Sequence, residues 1–166
     1  MESLYQLYTR TMERIDANTK YFFPKSFFYN LFDLLGENAT LFIAEYNNNP
    51  IAASVFLNDH DFVHYYLSGS NPDFRNLCST NLILYEAIIW AKAEGYKIFE
   101  LGGGYKAGDS LYKFKSSFSS TTEIFYIYKK IHKQELYDLL CDLKAKYEGI
   151  DVSDLMTSGY FPAYRK

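Results

Sequence analysis

The hydrophobic period switches between residues 40 and 101, from two to about 3.6 and back, and no other feature restricts the possible folds as much. Apolar and polar residues alternate over residues 40–46, 51–57 and 62–67. The turn-rich runs Asn47-Asn48-Asn49-Pro50 and Asn58-Asp59-His60-Asp61 separate them, so the stretch predicts a three-stranded antiparallel meander. A polar loop over 68–78 leads into a helix over 79–94, opened by Ser79 or Thr80 and closed by Gly95, and a short strand over 97–101 follows. Strand, helix and strand in this order make a right-handed crossover, which sets the third and fourth strands side by side and parallel. The expected class is α/β with a mixed sheet and flanking helices.

The remaining elements complete this plan. Leu4, Leu7, Tyr8, Met12 and Ile15 recur at helical spacing over 3–16, and a second helix runs from Pro24 to Gly36. Leu82, Ile83, Tyr85, Ile88, Ile89 and Trp90 cover most of the circumference of the long helix, which predicts burial on several sides. After Gly102-Gly103-Gly104 and a loop through Gly108 come a short helix over 110–118, a strand over 121–128 and a helix over 133–147 that would bury Leu136, Leu139, Leu140 and Leu143. The stretch 151–166 holds Tyr160, Phe161 and Tyr164 without a period and reads as an extended arm or a disordered end. The expected organisation is one domain over 1–150 with a C-terminal tail over 151–166.

Composition narrows the function. A formal net charge of −3 argues against non-specific phosphate binding over the whole surface. Cys78 and Cys141 fit neither a zinc pattern nor a redox pair. No apolar run approaches the roughly 18 residues of a membrane span, and the start, Met-Glu-Ser-Leu, lacks the charge and apolar stretch of an export leader, so a cytoplasmic location is expected. Seventeen tyrosines and fourteen phenylalanines suggest either a large groove or interface, or a codon bias.

A sheet that passes from antiparallel to parallel pairing can splay where its middle strands diverge, leaving backbone groups for a ligand's amide. Around that point Tyr65 and Tyr66 point to opposite faces, and Tyr66 is the candidate for the cleft. Ser70, Asn71 and Arg75 precede the long helix, where first-turn amides can hold an anion; the alternative is an Asx turn beside an exposed arginine. Gly102 and Gly103 read as a tight turn rather than a phosphate loop. Glu86 and Glu100 are candidates for accepting an amine's proton, or else structural carboxylates. His60, His64 and His132 are scattered, and no metal site is expected.

The order of elements is that of the general (GNAT) N-acyltransferase fold. Within it, the run from His64 to Arg75, the helix 81–95, Phe99-Glu100-Leu101-Gly102-Gly103 and Tyr112-Lys113-Phe114-Lys115 resemble the Fem family, aminoacyl transferases that build peptidoglycan bridges from two tandem acyltransferase domains. The resemblance spans residues 41–131 and is to the second domain. It implies transfer of an aminoacyl group from aminoacyl-tRNA to an amine, that of a peptidoglycan precursor, with no tightly bound cofactor and no metal. It also implies a catalytic Phe-Lys pair, which Phe114 and Lys115 match, the lysine ammonium and the phenylalanine amide stabilising the charge on the carbonyl oxygen. The missing first domain implies a homodimer, a second acyltransferase domain or a smaller amine acceptor. Coenzyme A-dependent relatives carry Gln/Arg-x-x-Gly-x-Gly/Ala before the long helix, and residues 74–79 hold no glycine, which counts against acetyl-CoA. Two alternatives stand beside this reading: an acyl-CoA-dependent N-acyltransferase acting on an amino sugar or polysaccharide precursor, and a non-catalytic module that binds a glycan or peptide.

Overall fold

The computed structural model describes residues 1–105 and 108–166; Lys106 and Ala107, in the expected glycine loop, lie outside the described residues. The chain forms two compact units, Met1–Ser120 and Thr121–Lys166.

The first unit is built on a mixed sheet of four strands in the order β1-β2-β3-β4. Two helices, α1 (Glu2–Arg14) and α2 (Lys25–Leu35), precede the meander β1 (Ala39–Tyr46), β2 (Asn49–Asp59) and β3 (Phe62–Ser70). Then come α3 (Ser79–Ala93), the short strand β4 (Ile98–Glu100) and α4 (Ser110–Ser116). The meander is antiparallel and β4 joins β3 in parallel, as the crossover rule requires. Pro24 caps α2 rather than opening it, and Gly36 ends it at φ +52°.

β2 is the central layer, so its two sets of alternating side chains are both buried. On one face Ala53 and Val55 meet Leu4, Leu7, Tyr8 and Phe28 of α1 and α2; on the other Ala52 and Phe56 meet Ile83, Leu84, Ala87 and Ala91 of α3. The helix α3 is buried on this one face only. Leu82, Tyr85 and Ile89, at i, i+3 and i+7, stay exposed, because an apolar circumference does not itself supply a second layer to pack against.

One irregularity positions everything that follows. Val55 pairs with Leu67 and Phe56 with Tyr65, so Tyr66 has no opposite number: a β-bulge sits in the middle of β3. Tyr65 therefore packs toward α3, while Leu67 packs toward α1. Just beyond, a Cβ on Gly69 would overlap the backbone of Leu7 and Tyr8, so α1 crosses β3 at a distance that only glycine allows.

The second unit centres on α5 (Gln134–Glu148), followed by α6 (Val152–Met156) and a terminal 3₁₀ turn (Ala163–Arg165). Tyr137, Cys141 and Ala145 pack against Leu155 and Ala163, and the amide of Ala163 donates to the Tyr137 hydroxyl at 2.9 Å. Residues 151–166 are thus folded onto α5. Their contact selects the Tyr137 stripe of α5, leaving the expected Leu136, Leu139 and Leu143 exposed. The strand expected over 121–128 does not form. Ile124, Phe125, Tyr126, Ile127 and Tyr128 have strong strand propensity, but propensity without a ladder partner makes no strand.

Candidate active site

The site grows from the mismatch in length between β3 and β4. β4 pairs only with Phe62, Val63 and His64, so on that side β3 has no strand partner from Tyr65 to Ser70 among the described residues. At the far end the gap is closed by α1: the Ser70 amide donates to Thr11 Oγ1 at 2.9 Å, and the same hydroxyl lies 3.3 Å from the Ser70 carbonyl. The Asn71 amide faces the other way, donating to Ile51 of β2 at 2.8 Å. Two-residue alternation then turns the peptide groups of Ser68 outward as well, into the opening between the bulge and Thr11. An extended amide-bearing ligand could pair there as an added strand.

Lys115 reaches this opening from α4. Its Nζ donates to the Gly103 carbonyl at 3.1 Å and lies 5.5 Å from the centre of the Tyr65 ring. Burial holds its ammonium below the ordinary lysine range, and the carboxylates of Glu100 and Asp109 oppose that shift only in part. Asp109 sets the start of α4, accepting from the Tyr112 amide at 2.7 Å and from the Tyr105 amide at 2.7 Å. Phe114, the neighbour of Lys115, packs with the α3-side core and edge-on to Phe118. Its amide lies inside α4, four residues after Ser110, where the helix ladder uses it.

Gly102, at φ +67°, lies between two side chains of the site. A Cβ built there would stand 3.5 Å from Lys115 Nζ and 3.9 Å from His64 Cε1. The parallel register sets His64 beside Glu100, and His64 Nδ1 lies 3.0 Å from Glu100 Oε2. His64 shares the α1 face of β3 with Tyr66, their rings 6.4 Å apart.

Tyrosines gather on the same face. The Tyr8 hydroxyl donates to the Tyr21 carbonyl at 2.9 Å, and Tyr21 meets Tyr105 edge-on with ring centres 6.0 Å apart. Burial pushes the Tyr8 phenol up to about 12, with Tyr105, Tyr66 and Tyr21 close enough to add to the shift. Tyr65, on the opposite face, stacks on Phe56; burial raises its phenol while the hydroxyls of Ser68 and Ser54 lower it.

The loop before α3 is built from a 3₁₀ segment, Pro72–Leu77. Asn71 Oδ1 accepts from the Asp73 amide at 3.1 Å, which is the Asx-turn alternative, and Arg75 is exposed. Cys78 then takes the left-handed conformation, φ +49° and ψ +38°, at the N-cap of α3, whose first turn has no side-chain cap. A glycine-type backbone shape is thus present at this place without a glycine.

Of the residues singled out in the sequence, Lys115, Gly102, Gly103 and Tyr66 come together at the opening, Ser70 is held by Thr11, and Asn71 and Arg75 lie at the approach to α3. Sequence reasoning passes over Thr11, Asp109 and the His64–Glu100 pair. An Asp three residues before Tyr112 is a readable cap signal, whereas the pair depends on a register between strands 36 residues apart.

Comparison with known proteins is consistent with this geometry. Residues 1–116 match the family model described as an acetyltransferase (GNAT) domain. An aminoglycoside acetyltransferase, meta-AAC0020 from an uncultured soil metagenomic sample, in complex with sisomicin, is similar with a TM-score of 0.56 at 13% identity, over 78% of this chain and 88% of that one. A mutant of the BH1408 protein from Bacillus halodurans gives 0.57 at 18%, over 78% and 92%. The aminoglycoside acetyltransferase AAC(6')-Iy, in complex with a bisubstrate analog of CoA and acetylneamine, gives 0.50 at 11%, over 65% and 82%. At such identities the likeness is one of fold. No curated protein matches the sequence. With the family model covering both cores of the first unit, the opening in the sheet and Lys115, the chain belongs to the GNAT acetyltransferase family and is an N-acyltransferase.

Proposed function

We propose that the protein transfers an acyl group from acyl-CoA to the amine of an amino sugar or a related polyhydroxylated acceptor. The observation that carries this reading is the open edge of β3 between the Tyr66 bulge and the Thr11 clasp, with Lys115 at one end and the uncapped start of α3 beyond the other. The amide-bearing arm of the donor pairs with the outward peptide groups of Ser68, and its phosphates meet the first-turn amides of α3 near Arg75. The left-handed Cys78 removes the objection raised by the missing glycine. The thioester carbonyl then lies by the bulge, and Lys115 stabilises the negative charge that develops on its oxygen, in the role expected of this residue. Phe114 supports that lysine by packing, and Gly102 and Gly103 leave room for the reacting groups.

The acceptor approaches from the α1 face. Tyr21, Tyr66 and Tyr105 offer ring faces and hydroxyls suited to a sugar ring, with buried Tyr8 packed behind them. Two solved structures of this fold are aminoglycoside acetyltransferases, one in complex with sisomicin and one with a CoA–acetylneamine bisubstrate analog. The family match supports a thioester donor over the aminoacyl-tRNA and peptidoglycan precursor implied by the Fem resemblance.

The test is acetyl transfer from acetyl-CoA to glucosamine and to sisomicin, followed by release of the CoA thiol, together with thermal shifts on adding CoA. A ligand at a hundred times its Kd stabilises by about 2.7 kcal/mol. Thiol release that depends on the amine supports the reading; no shift with CoA and no release with any amine overturns it.

A further inference from the structure

We infer that His64, oriented by Glu100, is the base that takes the proton from the acceptor's ammonium group. The inference rests on the acyl-transfer reading and adds to it the proton acceptor that it lacks.

An amine at neutral pH is protonated and cannot attack a carbonyl until one proton leaves. Lys115 carries no lone pair while charged, and its position against the Gly103 carbonyl suits it to anion stabilisation. Glu86, the other carboxylate considered in the sequence, is exposed on α3, on the far side of the sheet from the tyrosines. The His64–Glu100 pair has the required geometry. An ionised carboxylate only accepts, so Nδ1 carries the proton of the 3.0 Å bond and Nε2 is left with a free lone pair. The Cε1 edge of the ring faces the space over Gly102 that Lys115 Nζ also borders. His64 lies on the α1 face with Tyr66, where the acceptor enters, and opposite Tyr65. The charged and titratable groups around the imidazole are Glu100 of β4, Lys115 of α4 and Tyr66 of β3 itself.

The step balances as follows. The acceptor ammonium gives one proton to His64 Nε2, which later passes it to solvent. The freed nitrogen lone pair attacks the thioester carbon, forming C–N and moving the carbonyl pair onto oxygen beside Lys115. Collapse restores the carbonyl and breaks C–S, and the departing thiolate takes the second proton from the new amide nitrogen. Glu100 is a positioning residue: it fixes the tautomer and holds the imidazolium while it exists.

The test uses the full chain with acetyl-CoA and two acceptors, glucosamine and methoxyamine, the second of which is unprotonated at neutral pH. For His64→Gln, kcat with glucosamine falls about 10²- to 10⁴-fold at pH 7, the deficit shrinks as pH rises toward the amine's own pKa, and the rate with methoxyamine is kept. Glu100→Gln lowers kcat about tenfold, shifts the pH profile and leaves the KM for acetyl-CoA unchanged. Equal losses with both acceptors, or a full rate with glucosamine in His64→Gln, overturn the dyad. Wild-type protein that binds CoA but acetylates neither amine overturns the acyl-transfer reading first, and the dyad with it. An unchanged thermal midpoint and CoA shift in each variant separate chemistry from folding.

Discussion

The side chain of Thr11 ties α1 to the end of β3: its Oγ1 receives the Ser70 amide hydrogen at 2.9 Å, while its own hydrogen is directed to the Leu7 carbonyl at 2.8 Å, with the Ser70 carbonyl farther off at 3.3 Å. That one hydroxyl ends the opening in the sheet. Thr11→Val keeps the shape and strands the part-buried Ser70 amide, an omission that costs about 1–3 kcal/mol. Urea denaturation should show a lowered midpoint with an unchanged slope. If acyl transfer falls as well, and more than stability explains, the clasp also fixes the donor's register along β3.

Gly69 makes a sharper prediction. A methyl group there has no space between β3 and the backbone of Leu7 and Tyr8, and backbone cannot swing aside as a side-chain tip can. Gly69→Ala should destabilise by about 3 kcal/mol, at the upper end of the usual overpacking range, and be read as a fall in thermal midpoint. Gly103→Ala, with open space around the same position, should leave the midpoint unchanged.

Lys115→Met separates stability from chemistry. Transfer should drop about 10²- to 10³-fold, as for loss of one group stabilising a developing oxyanion, while stability at pH 7 holds or rises slightly. The sign follows from burial, which depresses this ammonium: the unfolded chain holds the proton more tightly, so wild-type stability grows as pH climbs from the depressed value toward 10.5. That alkaline gain should vanish in the variant, as measured by chemical denaturation at pH 8 and pH 10.

Cys78 is exposed and left-handed, a conformation that costs a residue with a Cβ about 1–2 kcal/mol. Glycine removes that cost and adds about 0.5–1 kcal/mol of chain entropy loss. Cys78→Gly should therefore be neutral or stabilising by about 0.5–1 kcal/mol, and CoA affinity should be kept. Cys78→Val should lower both the midpoint and the CoA shift.

Periodicity makes the helices and the meander legible to within a few residues, and the crossover rule makes the parallel pairing of β3 and β4 legible too, because each follows from local spacing and handedness. Lys115 is legible only through resemblance. What escapes reading depends on partners distant in sequence. Residues 121–128 have the composition of a strand, but only a neighbouring edge turns composition into a ladder. Residues 151–166 lack a period because Leu155, Phe161 and Ala163 meet α5 from separate turns rather than along one face. His64 and Glu100 look unrelated until the register joins them.

The unopposed Tyr66 gives β3 two phases. Before it, odd-numbered residues face α3; after it, odd-numbered residues face α1. No single alternating pattern describes such a strand, and a search for one would misplace half of it. Deleting Tyr66 would restore regular alternation without turning any neighbour: Tyr65 and Leu67, already on opposite faces, would become adjacent, and His64 would stay on the α1 face. The bulge is thus a removable insertion: what it adds is one tyrosine on the α1 face beside His64, and the strand on either side of it keeps its faces with or without it.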